Sequence, residues 1–236
     1  MIGDSRLLAF DLDGTLVDSQ RDLADSTNAV LRSLGAEALP VPRVVAMVGD
    51  GARVLVARAL QASGLGTDDA LVTGALARFH REYEARLVAT TRPYAGVVPM
   101  LETLAARGAT LAVLTNKPQA LAERLLNELG LRRWFAWTIG GDTPFGRKPD
   151  PAGLRALIDR VGATPASARM IGDSPIDLET ARRAGVGFVA ARYGFGRLRG
   201  ELVLAPGDAE AGTAGEIAGV VTRWLDETRR ADWRRT

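Results

Sequence analysis

The acidic residues that are candidates for catalysis or metal binding lie in two short clusters, each directly after an apolar run. Residues 11–15 (DLDGT) follow the run at residues 7–10, and residues 172–177 (GDSPID) follow the run at residues 169–171. Unit charges about 4 Å apart repel by roughly 4 kcal/mol at an effective dielectric of about 20, so carboxylates gathered in this way require a cation. All-oxygen ligands favour a hard divalent ion, and Mg²⁺ keeps positions open for a phosphate oxygen. The pattern therefore predicts an Mg²⁺ site.

Four carboxylates of these clusters are candidates for that site. Asp11 and Asp13 leave the end of the first run together, while Leu12 between them points into the core. Asp173 and Asp177 reach the same edge of a sheet if the two strands are neighbours. An Asp at a strand-to-helix junction also serves as an N-cap or turn former, and for Asp177 both interpretations stay open.

Two further segments suit a phosphate group. Residues 115–118 (TNKP) offer the Thr115 hydroxyl and the Asn116 amide just before a helix start, where unpaired N–H groups and the helix dipole bind anions. Lys148 precedes Pro149, which holds the lysine backbone extended on a loop. A lysine at that place is a candidate for neutralising a phosphate, against the alternative of an ordinary surface lysine.

The elements that must position these residues alternate between strand-like and helical patterns. Five short apolar runs have the character of buried strands: residues 7–10, 109–114, 136–139, 169–171 and 186–190. Apolar residues recur at helical spacing between several of them. This alternation predicts an α/β fold with a doubly wound, Rossmann-like parallel sheet, whose strands end at the clusters described above. Residues 205–215, which contain Gly, Ala and Pro, are expected to form a surface loop.

One long segment breaks the alternation. Residues 19–90 contain no strand-like run, and apolar residues recur at helical spacing through residues 72–87. Pro and Gly at residues 92–96 mark a linker where the segment ends. The prediction is an all-helical cap domain of residues 19–90, inserted into a core of residues 1–18 plus 91–236. An insert at this point lies over the carboxyl ends of the strands, where open α/β sheets bind ligands.

Substrate choice is expected to come mainly from this cap. Gly49 and Gly51 separate two cap helices and could aim backbone N–H groups, with the Arg53 side chain, at a small carboxylate; equally, the glycines could simply turn the chain. Lys117 is a second candidate, against the alternative of a surface lysine. His80 lies on a helical segment of the cap and is expected to be a surface or packing residue.

Composition excludes several classes of protein and site. The 236 residues are 47% apolar and 25% charged, which is typical of a soluble globular protein. Zero cysteines exclude disulfides, thiolate catalysis and Cys-ligated metals, and a single histidine excludes a multi-histidine site. The absence of an apolar run of about 18 residues argues against a membrane span. Acid near the N-terminus argues against a secretory signal, so a cytoplasmic location is expected.

The charge balance offers little support for nucleic-acid binding. Lys and Arg exceed Asp and Glu by only two, a net charge of +2. Four arginines gather at the C-terminus: Arg229, Arg230, Arg234 and Arg235. They are expected to form a solvated tail rather than a patch for a polyanion.

The four motifs together resemble a known family. Residues 11–19 (DLDGTLVDS), 115–116 (TN), 148–149 (KP) and 172–177 (GDSPID) are similar, in order and spacing, to the motifs of the haloacid dehalogenase-like phosphohydrolases. The resemblance covers nearly the whole chain, and the insert matches the helical cap that this family places after its first motif. Residues 47–53 (MVGDGAR), 91–94 (TRPY) and 140–143 (GGDT) more specifically resemble the phosphoglycolate phosphatase branch of the family.

This resemblance implies a phosphomonoester hydrolase that acts through an aspartyl phosphate. Asp11 would be the nucleophile, and Asp13 would protonate the departing alkoxide and then act as the base. Mg²⁺ would be held by an Asp11 oxygen, the Asp13 backbone carbonyl and Asp173, with Asp177 as a further ligand or a residue that orients the ligands.

By the same resemblance, Thr115, Asn116 and Lys148 would hold the phosphate, with Lys148 also taking part in catalysis. The implied substrate is a small phosphorylated metabolite, with 2-phosphoglycolate favoured, which suggests a role in carbohydrate metabolism. The implied protein is a monomer or homodimer that works in the cytoplasm without nucleic acid or a membrane.

Several alternatives stay open at this point. Another phosphotransfer enzyme, such as a sugar-phosphate phosphatase or mutase, a pyrophosphatase or a nucleotidase, would carry the same core motifs. A halide-releasing dehalogenase is disfavoured because its chemistry has no alkoxide for Asp13 to protonate. A signalling module phosphorylated on Asp is disfavoured because receiver domains place that residue after a later strand and lack a large helical insert.

Overall fold

The structure, a computed structural model, describes the backbone of residues 5–196 and 202–233 and the side chains of all but the last five of these. The strands are β1 (Leu7–Phe10), β2 (Val17–Asp18), β3 (Arg92–Pro93), β4 (Thr110–Leu114), β5 (Trp137–Ile139), β6 (Ala168–Gly172), β7 (Gly187–Ala191) and β8 (Ala209–Ala211). The helices are α1 (Gln20–Ser33), α2 (Val41–Val45), α3 (Ala52–Ala62), α4 (Asp69–Glu84), α5 (Val97–Ala106), α6 (Gln119–Glu128), α7 (Ala152–Val161), α8 (Pro175–Ala184) and α9 (Ala214–Trp233).

Six strands form one parallel sheet in the order β5-β4-β1-β6-β7-β8. Its strands are short and almost wholly apolar, as expected where helices cover both faces. At the centre, Phe10 of β1 lies opposite Val113 of β4 and Ile171 of β6. After β1 the chain forms β4 and β5 on one flank of that strand and then β6, β7 and β8 on the other flank. This order confirms the predicted doubly wound α/β fold. The three segments that follow β1, β4 and β6 emerge side by side at one edge.

All five predicted apolar runs are strands of this sheet, but one neighbouring prediction was wrong. Residues 209–211, expected to lie in a loop, form the edge strand β8, which pairs with β7. Three residues are too few to show a strand pattern, and the central Glu210 is exposed. The pairing with β7, rather than any apolar run, places this strand.

Residues 19–90, all of which the structure describes, contain four helices and no strand. The helices pack through buried side chains of α1, α3 and α4, including Leu31, Leu60 and Phe79. Helix α4 begins at an N-cap, where the Asp68 carboxylate accepts a hydrogen bond from the Leu71 N–H. The predicted helical content of this segment is thus present, while its assignment as a separate domain stays a prediction.

The chain enters and leaves the helical segment through a two-stranded ribbon. Strands β2 and β3 are antiparallel, with Asp18 opposite Arg92. Just inside the ribbon, the buried Asp22 carboxylate accepts hydrogen bonds from the backbone N–H groups and the hydroxyls of Thr90 and Thr91. Burial raises the pKa of Asp22, but these donated bonds outweigh burial and hold the pKa below its ordinary value.

Two further findings concern the surface and the C-terminus. No helix in the described part of the chain is long and apolar enough to cross a membrane. Arg229 and Arg230 belong to α9, whereas their side chains and the whole of Arg234 and Arg235 lie outside the described residues.

Candidate active site

The centre of the site is a lysine between two buried carboxylates. Asp11 follows β1, and its N–H donates to the Ile171 carbonyl at 2.9 Å, so the strand pairing fixes its position. The Lys148 Nζ lies 2.7 Å from Asp11 Oδ1 and 2.6 Å from Asp177 Oδ1. All three side chains are at least nine-tenths buried. Removing one member of an ion pair buried to this degree leaves the other charge uncompensated and strongly destabilises the folded protein.

Burial and charge set the protonation of these groups. Burial first, and then the charge of Asp177, raise the pKa of Asp11 to about 6, although Lys148 opposes them. For Lys148, burial lowers the pKa, but Asp11 and Asp177 together outweigh burial and raise it above its ordinary value. Lys148 is therefore charged at neutral pH.

Asp173 adds a third carboxylate to the group formed by Lys148, Asp11 and Asp177. Carboxylate oxygens of Asp11, Asp173 and Asp177 lie within 4.8 Å of one another. Three carboxylates and one ammonium leave an excess of two negative charges, which suits a divalent metal ion held by oxygen ligands. The structure thus brings Asp11 and Asp173 together at the sheet edge, as the sequence predicted.

Asp177 has hydrogen-bond partners both in the carboxylate cluster and at the start of α8. Both oxygens of Asp177 are engaged, Oδ1 by Lys148 and Oδ2 by the Ser174 N–H and hydroxyl at 3.1 and 2.6 Å. This pairing is the capping box that begins α8. Asp177 therefore helps to cap α8, which is one of the two roles that the sequence left open for it, and its carboxylate also belongs to the group of three that could hold a metal.

A close backbone approach shapes the Asp173 side of the site. Gly14 has a φ of +94°, and a Cβ built on it would overlap the Asp173 carboxylate. On the opposite side, the Gly196 N–H donates to Asp173 Oδ2 at 2.6 Å. The Thr15 hydroxyl lies 3.4 Å from Asp173 Oδ1. Only glycine at position 14 lets the loop after β1 come this near to the loop after β6.

Asp13 lies outside the carboxylate cluster and faces a different lysine. Its Oδ1 and Oδ2 lie 2.9 and 2.7 Å from the Lys117 Nζ, and the Ser19 hydroxyl donates to Oδ1 at 2.6 Å. The Lys117 ammonium also donates to the Tyr83 hydroxyl of α4 at 2.8 Å. Burial lowers the pKa of Lys117, but the Asp13 charge and the other contacts raise it above its ordinary value. Lys117 is thus a buried residue of the site and not a surface lysine.

Thr115 and Asn116, two of the three residues predicted to hold phosphate, differ in what their side chains do. The Asn116 amide nitrogen donates to the Gly49 and Lys148 carbonyls at 2.7 and 2.9 Å, and its oxygen accepts from the Lys148 N–H at 2.8 Å. This side chain braces three loops, and both of its N–H donors are already used. The Thr115 hydroxyl is buried beside it and accepts from the Lys117 N–H at 3.2 Å. Its own proton remains available for a phosphate.

A cleft that is partly open to solvent connects these residues with the helical segment. Gly49 and Gly51 line it, as do Asp11, Asp13 and both lysines. Arg53 is absent from the described residues that line the cleft. Its guanidinium instead forms an ion pair with Asp69 and a hydrogen bond with Thr73, both on α4. The structure therefore gives no support to Arg53 as a binder of substrate.

The whole arrangement matches a known family of proteins. A family model described as haloacid dehalogenase-like hydrolase matches residues 8–191, more than half of the chain. The chain belongs to this family. Individual relatives of this haloacid dehalogenase-like hydrolase agree with the assignment. The phosphoglycolate phosphatase of Rhodospirillum rubrum is 45% identical over 196 residues, which cover 81% of each protein.

Two further comparisons extend over similar lengths. Phosphoglycolate phosphatase 1 of Pseudomonas aeruginosa is 43% identical over 194 residues, which cover 80% of this hydrolase and 70% of that protein. A solved structure of a predicted phosphoglycolate phosphatase from Haemophilus somnus 129PT has a TM-score of 0.84 and 29% identity, and it covers 94% of this chain and 100% of that chain. Sequence and fold therefore agree on the family.

Three residues of this haloacid dehalogenase-like hydrolase lie at the site although the sequence analysis gave none of them a role in its chemistry, and His80 was expected to be a surface or packing residue. Ser19 contacts Asp13 directly, and Tyr83 and His80 of α4 line the cleft. Tyr83 had the helical spacing of a core residue, and it is indeed only 1% exposed. The available signal was its hydroxyl, because a buried phenol requires a polar partner.

Proposed function

We propose that this hydrolase is a Mg²⁺-dependent phosphatase that converts 2-phosphoglycolate and water into glycolate and phosphate. The observation that carries the proposal is the position of Asp11, which follows β1, lines the cleft and lies between Lys148 and the Asp173 carboxylate. A carboxylate so placed has a cation beside it for an incoming phosphoryl group and a metal-binding neighbour. The names of the curated relatives support the choice of substrate.

The first half of the reaction forms a covalent intermediate. An Asp11 oxygen attacks phosphorus, the bond from phosphorus to the bridging oxygen breaks, and Asp13 donates a proton to that oxygen as glycolate departs. Lys148 neutralises charge on the phosphoryl oxygens, and Asp177 with Ser174 keeps the lysine in position. The Thr115 hydroxyl donates a hydrogen bond to the phosphate.

The second half regenerates the enzyme. Asp13, now ionised, takes a proton from water as that water attacks the phosphorus of the aspartyl phosphate. The bond from phosphorus to Asp11 breaks, and phosphate leaves with Asp11 restored as a carboxylate. One carboxylate thus serves as acid in the first step and as base in the second, which requires that it stay near the phosphorus throughout.

A metal ion is needed to balance this set of charges. Mg²⁺ would be held by Asp11, the Asp13 carbonyl and Asp173, and when bound it would supply positive charge to the phosphoryl oxygens. The uncatalysed hydrolysis of a phosphate monoester is slow enough that stabilisation on the order of 20 kcal/mol is required, and fixed charges must provide most of it. The buried ammonium of Lys148 is this chain's own contribution of that kind.

The substrate is a small metabolite that fits between the sheet edge and the helical segment, and we place its turnover in the cytoplasm. Division of the chain into a core of residues 1–18 and 91–236 and a cap of residues 19–90 belongs to the same proposal. The cap covers the cleft with α3, α4 and the Gly49–Gly51 turn, so it chooses the group that the phosphate is attached to.

A panel of small phosphomonoesters tests the proposal. Phosphate release is measured from 2-phosphoglycolate, a hexose phosphate, a nucleotide and pyrophosphate, each with Mg²⁺, with Mn²⁺ and with a chelator. The expected result is the highest kcat/KM for 2-phosphoglycolate with Mg²⁺ and no turnover with the chelator. A clear preference for the hexose phosphate, the nucleotide or pyrophosphate would overturn the substrate assignment, and full turnover in the chelator would overturn the metal assignment.

A further inference from the structure

A second buried ammonium lies in the cleft, apart from the lysine that neutralises the phosphate. The Lys117 side chain is only 4% exposed, and its Nζ contacts Asp13 and the Tyr83 hydroxyl. Lys117 follows β4 of the core, whereas Tyr83 comes from α4 of the helical segment. Two polar groups from different parts of the fold thus meet beside Asp13. Neither has a role in the reaction as described so far.

The hydrogen bonds of this pair leave one donor unused. An ammonium can only donate, so the Tyr83 oxygen must accept the bond from Lys117, and the phenolic proton is left for another partner. Among the described residues, no acceptor lies within hydrogen-bond distance of that proton. Tyr83 is 1% exposed, and burial raises its pKa to about 12, so the proton stays on the oxygen. Buried donors of this kind normally have a partner.

Both groups line the cleft, which gives the unused donor a place for a partner. The neighbouring wall is apolar, formed by side chains such as Leu55, Phe79 and Leu121. A ligand group that satisfies the Tyr83 proton must therefore be small and must accept a hydrogen bond. Asp13 balances the Lys117 charge only while it is ionised. When Asp13 carries the proton that it gives to the leaving group, Lys117 requires another anion, so the ligand group must also carry negative charge. A carboxylate has all three properties.

We propose that Lys117 and Tyr83 form the subsite that binds the carboxylate of the substrate. This inference rests on the proposed function. Asp13 is assigned to protonate the bridging oxygen, and in 2-phosphoglycolate the carboxylate is attached one carbon away from that oxygen. A cation in contact with Asp13 therefore lies next to the place where this carboxylate must be. Lys148, the other ammonium that lines the cleft, lies at the phosphoryl end, where it contacts Asp11 and Asp177.

The subsite discriminates between substrates because the Tyr83 hydroxyl has no hydrogen-bond acceptor when no carboxylate is bound. A phosphate ester of the same length without a carboxylate leaves the Tyr83 proton buried and unpaired. A site built to hydrogen-bond a substrate group rejects analogues that lack it, because its own polar groups then lose their partners. Specificity arises in this way from one core residue and one residue of the helical segment together, so it requires that the segment be closed over the cleft.

The test compares two substrates across matched variants. Tyr83→Phe keeps the ring and removes only the hydroxyl, and Lys117→Met removes the ammonium and keeps the aliphatic stem. For each protein, kcat/KM is measured for 2-phosphoglycolate and for ethyl phosphate, in which a methyl group replaces the carboxylate. The ratio of the two values is expected to fall about tenfold in Tyr83→Phe, chiefly through the KM for 2-phosphoglycolate, and about a hundredfold in Lys117→Met.

The ratio separates binding of the carboxylate from a general loss of activity. Lys117→Met also changes the surroundings of Asp13, which lowers kcat for both substrates and cancels in the ratio. Arg81→Gln is the control, because Arg81 is an exposed cation on the same helix. Its ratio is expected to equal that of the wild type.

Two outcomes are contrary to the inference, and they differ from one another. A wild-type enzyme that hydrolyses both esters equally well would overturn the proposed function and this subsite with it. A wild-type preference for 2-phosphoglycolate that persists unchanged in Tyr83→Phe and Lys117→Met would overturn the subsite alone. Calorimetric titration of 2-phosphoglycolate into Asp11→Asn, with and without Tyr83→Phe, provides a readout without turnover. The second change is expected to weaken binding about tenfold, and equal affinities would contradict the assignment.

Discussion

Single charges matter at this site because they are buried with few partners. Lys148 is the only described cation that contacts Asp11 and Asp177, and its own side chain is 3% exposed. Removing one member of a buried ion pair leaves the other charge without compensation, which costs more than the pair itself contributes. The free energy of unfolding should therefore fall when a contact that the reaction uses is removed.

Lys148→Met is expected to lower the free energy of unfolding by about 3 kcal/mol in Mg²⁺-free buffer, because it leaves two carboxylates unpaired. Urea unfolding of the purified variant measures this loss. Asp177→Asn provides the second arm of a double-mutant cycle. The double variant should lose at least about 1 kcal/mol less than the sum of the single losses, since the two residues act as a pair. Strictly additive losses would mean that the ion pair makes no contribution.

At the scale of elements, the loop after β1 must pass very close to the loop after β6. Gly14→Ala places a methyl group against the Asp173 carboxylate at a backbone conformation that also disfavours side chains. Gly35→Ala is a matched control, since Gly35 has a φ of +77° and nothing within 4 Å of a Cβ. Both variants are expected to lose about 1 kcal/mol of stability from backbone strain.

Only Gly14→Ala is expected to weaken metal binding and to reduce turnover at least about tenfold, because only there must Asp173 move. Titration of the two variants with Mg²⁺, followed by phosphate release, compares them directly. Equal metal affinity and activity in the two alanine variants would show that Asp173 does not depend on the approach of Gly14.

The connection between the helical segment and the sheet is also an electrostatic feature. Asp22 of α1 is ionised and accepts bonds from Thr90 and Thr91, so its pKa is lower in the folded than in the unfolded chain. The unfolded chain then binds more protons, and the stability that Asp22 provides is present above its unfolded pKa and is lost as pH falls through the folded value.

Asp22→Asn is expected to lower the free energy of unfolding by about 2 kcal/mol at neutral pH, since an amide cannot replace a carboxylate that accepts on both oxygens. The difference from wild type should shrink as pH falls from about 5 to below the ordinary aspartate pKa of 3.8. Asp25→Asn, on the same helix, is the control because Asp25 forms only an exposed ion pair with Arg21. A difference for Asp22→Asn that is constant across this range would contradict the role of its charge.

At the scale of the whole molecule, the sheet order explains why residues far apart in the sequence meet. Strand β1 lies between β4 and β6, so Asp11, Thr115 and Asp173 all emerge at one edge. Their types and their positions after apolar runs were enough to predict this meeting. Strand β8 could not be predicted in the same way, because its place depends on pairing with β7 and not on its own three residues.

Side-chain partners were harder to predict than positions. Arg53 has the type and location expected of an anion binder, but Asp69 and Thr73 of the neighbouring helix engage it. Asn116 was expected to contact phosphate, but its amide braces the Gly49 and Lys148 backbones. Which partner a polar side chain takes depends on how the helices pack, and helix packing is not visible in a local pattern.

The central claim is that Asp11 carries the phosphoryl group during turnover. The most direct measurement mixes the enzyme with Mg²⁺ and excess 2-phosphoglycolate, quenches it in acid within a few milliseconds, and maps the phosphorylated peptide by mass spectrometry. The account predicts one phosphoryl group on Asp11 of the wild-type enzyme. A folded Asp11→Asn variant is expected to carry no phosphoryl group and to show no turnover. A phosphoryl group on another residue, or wild-type turnover by Asp11→Asn, would contradict it.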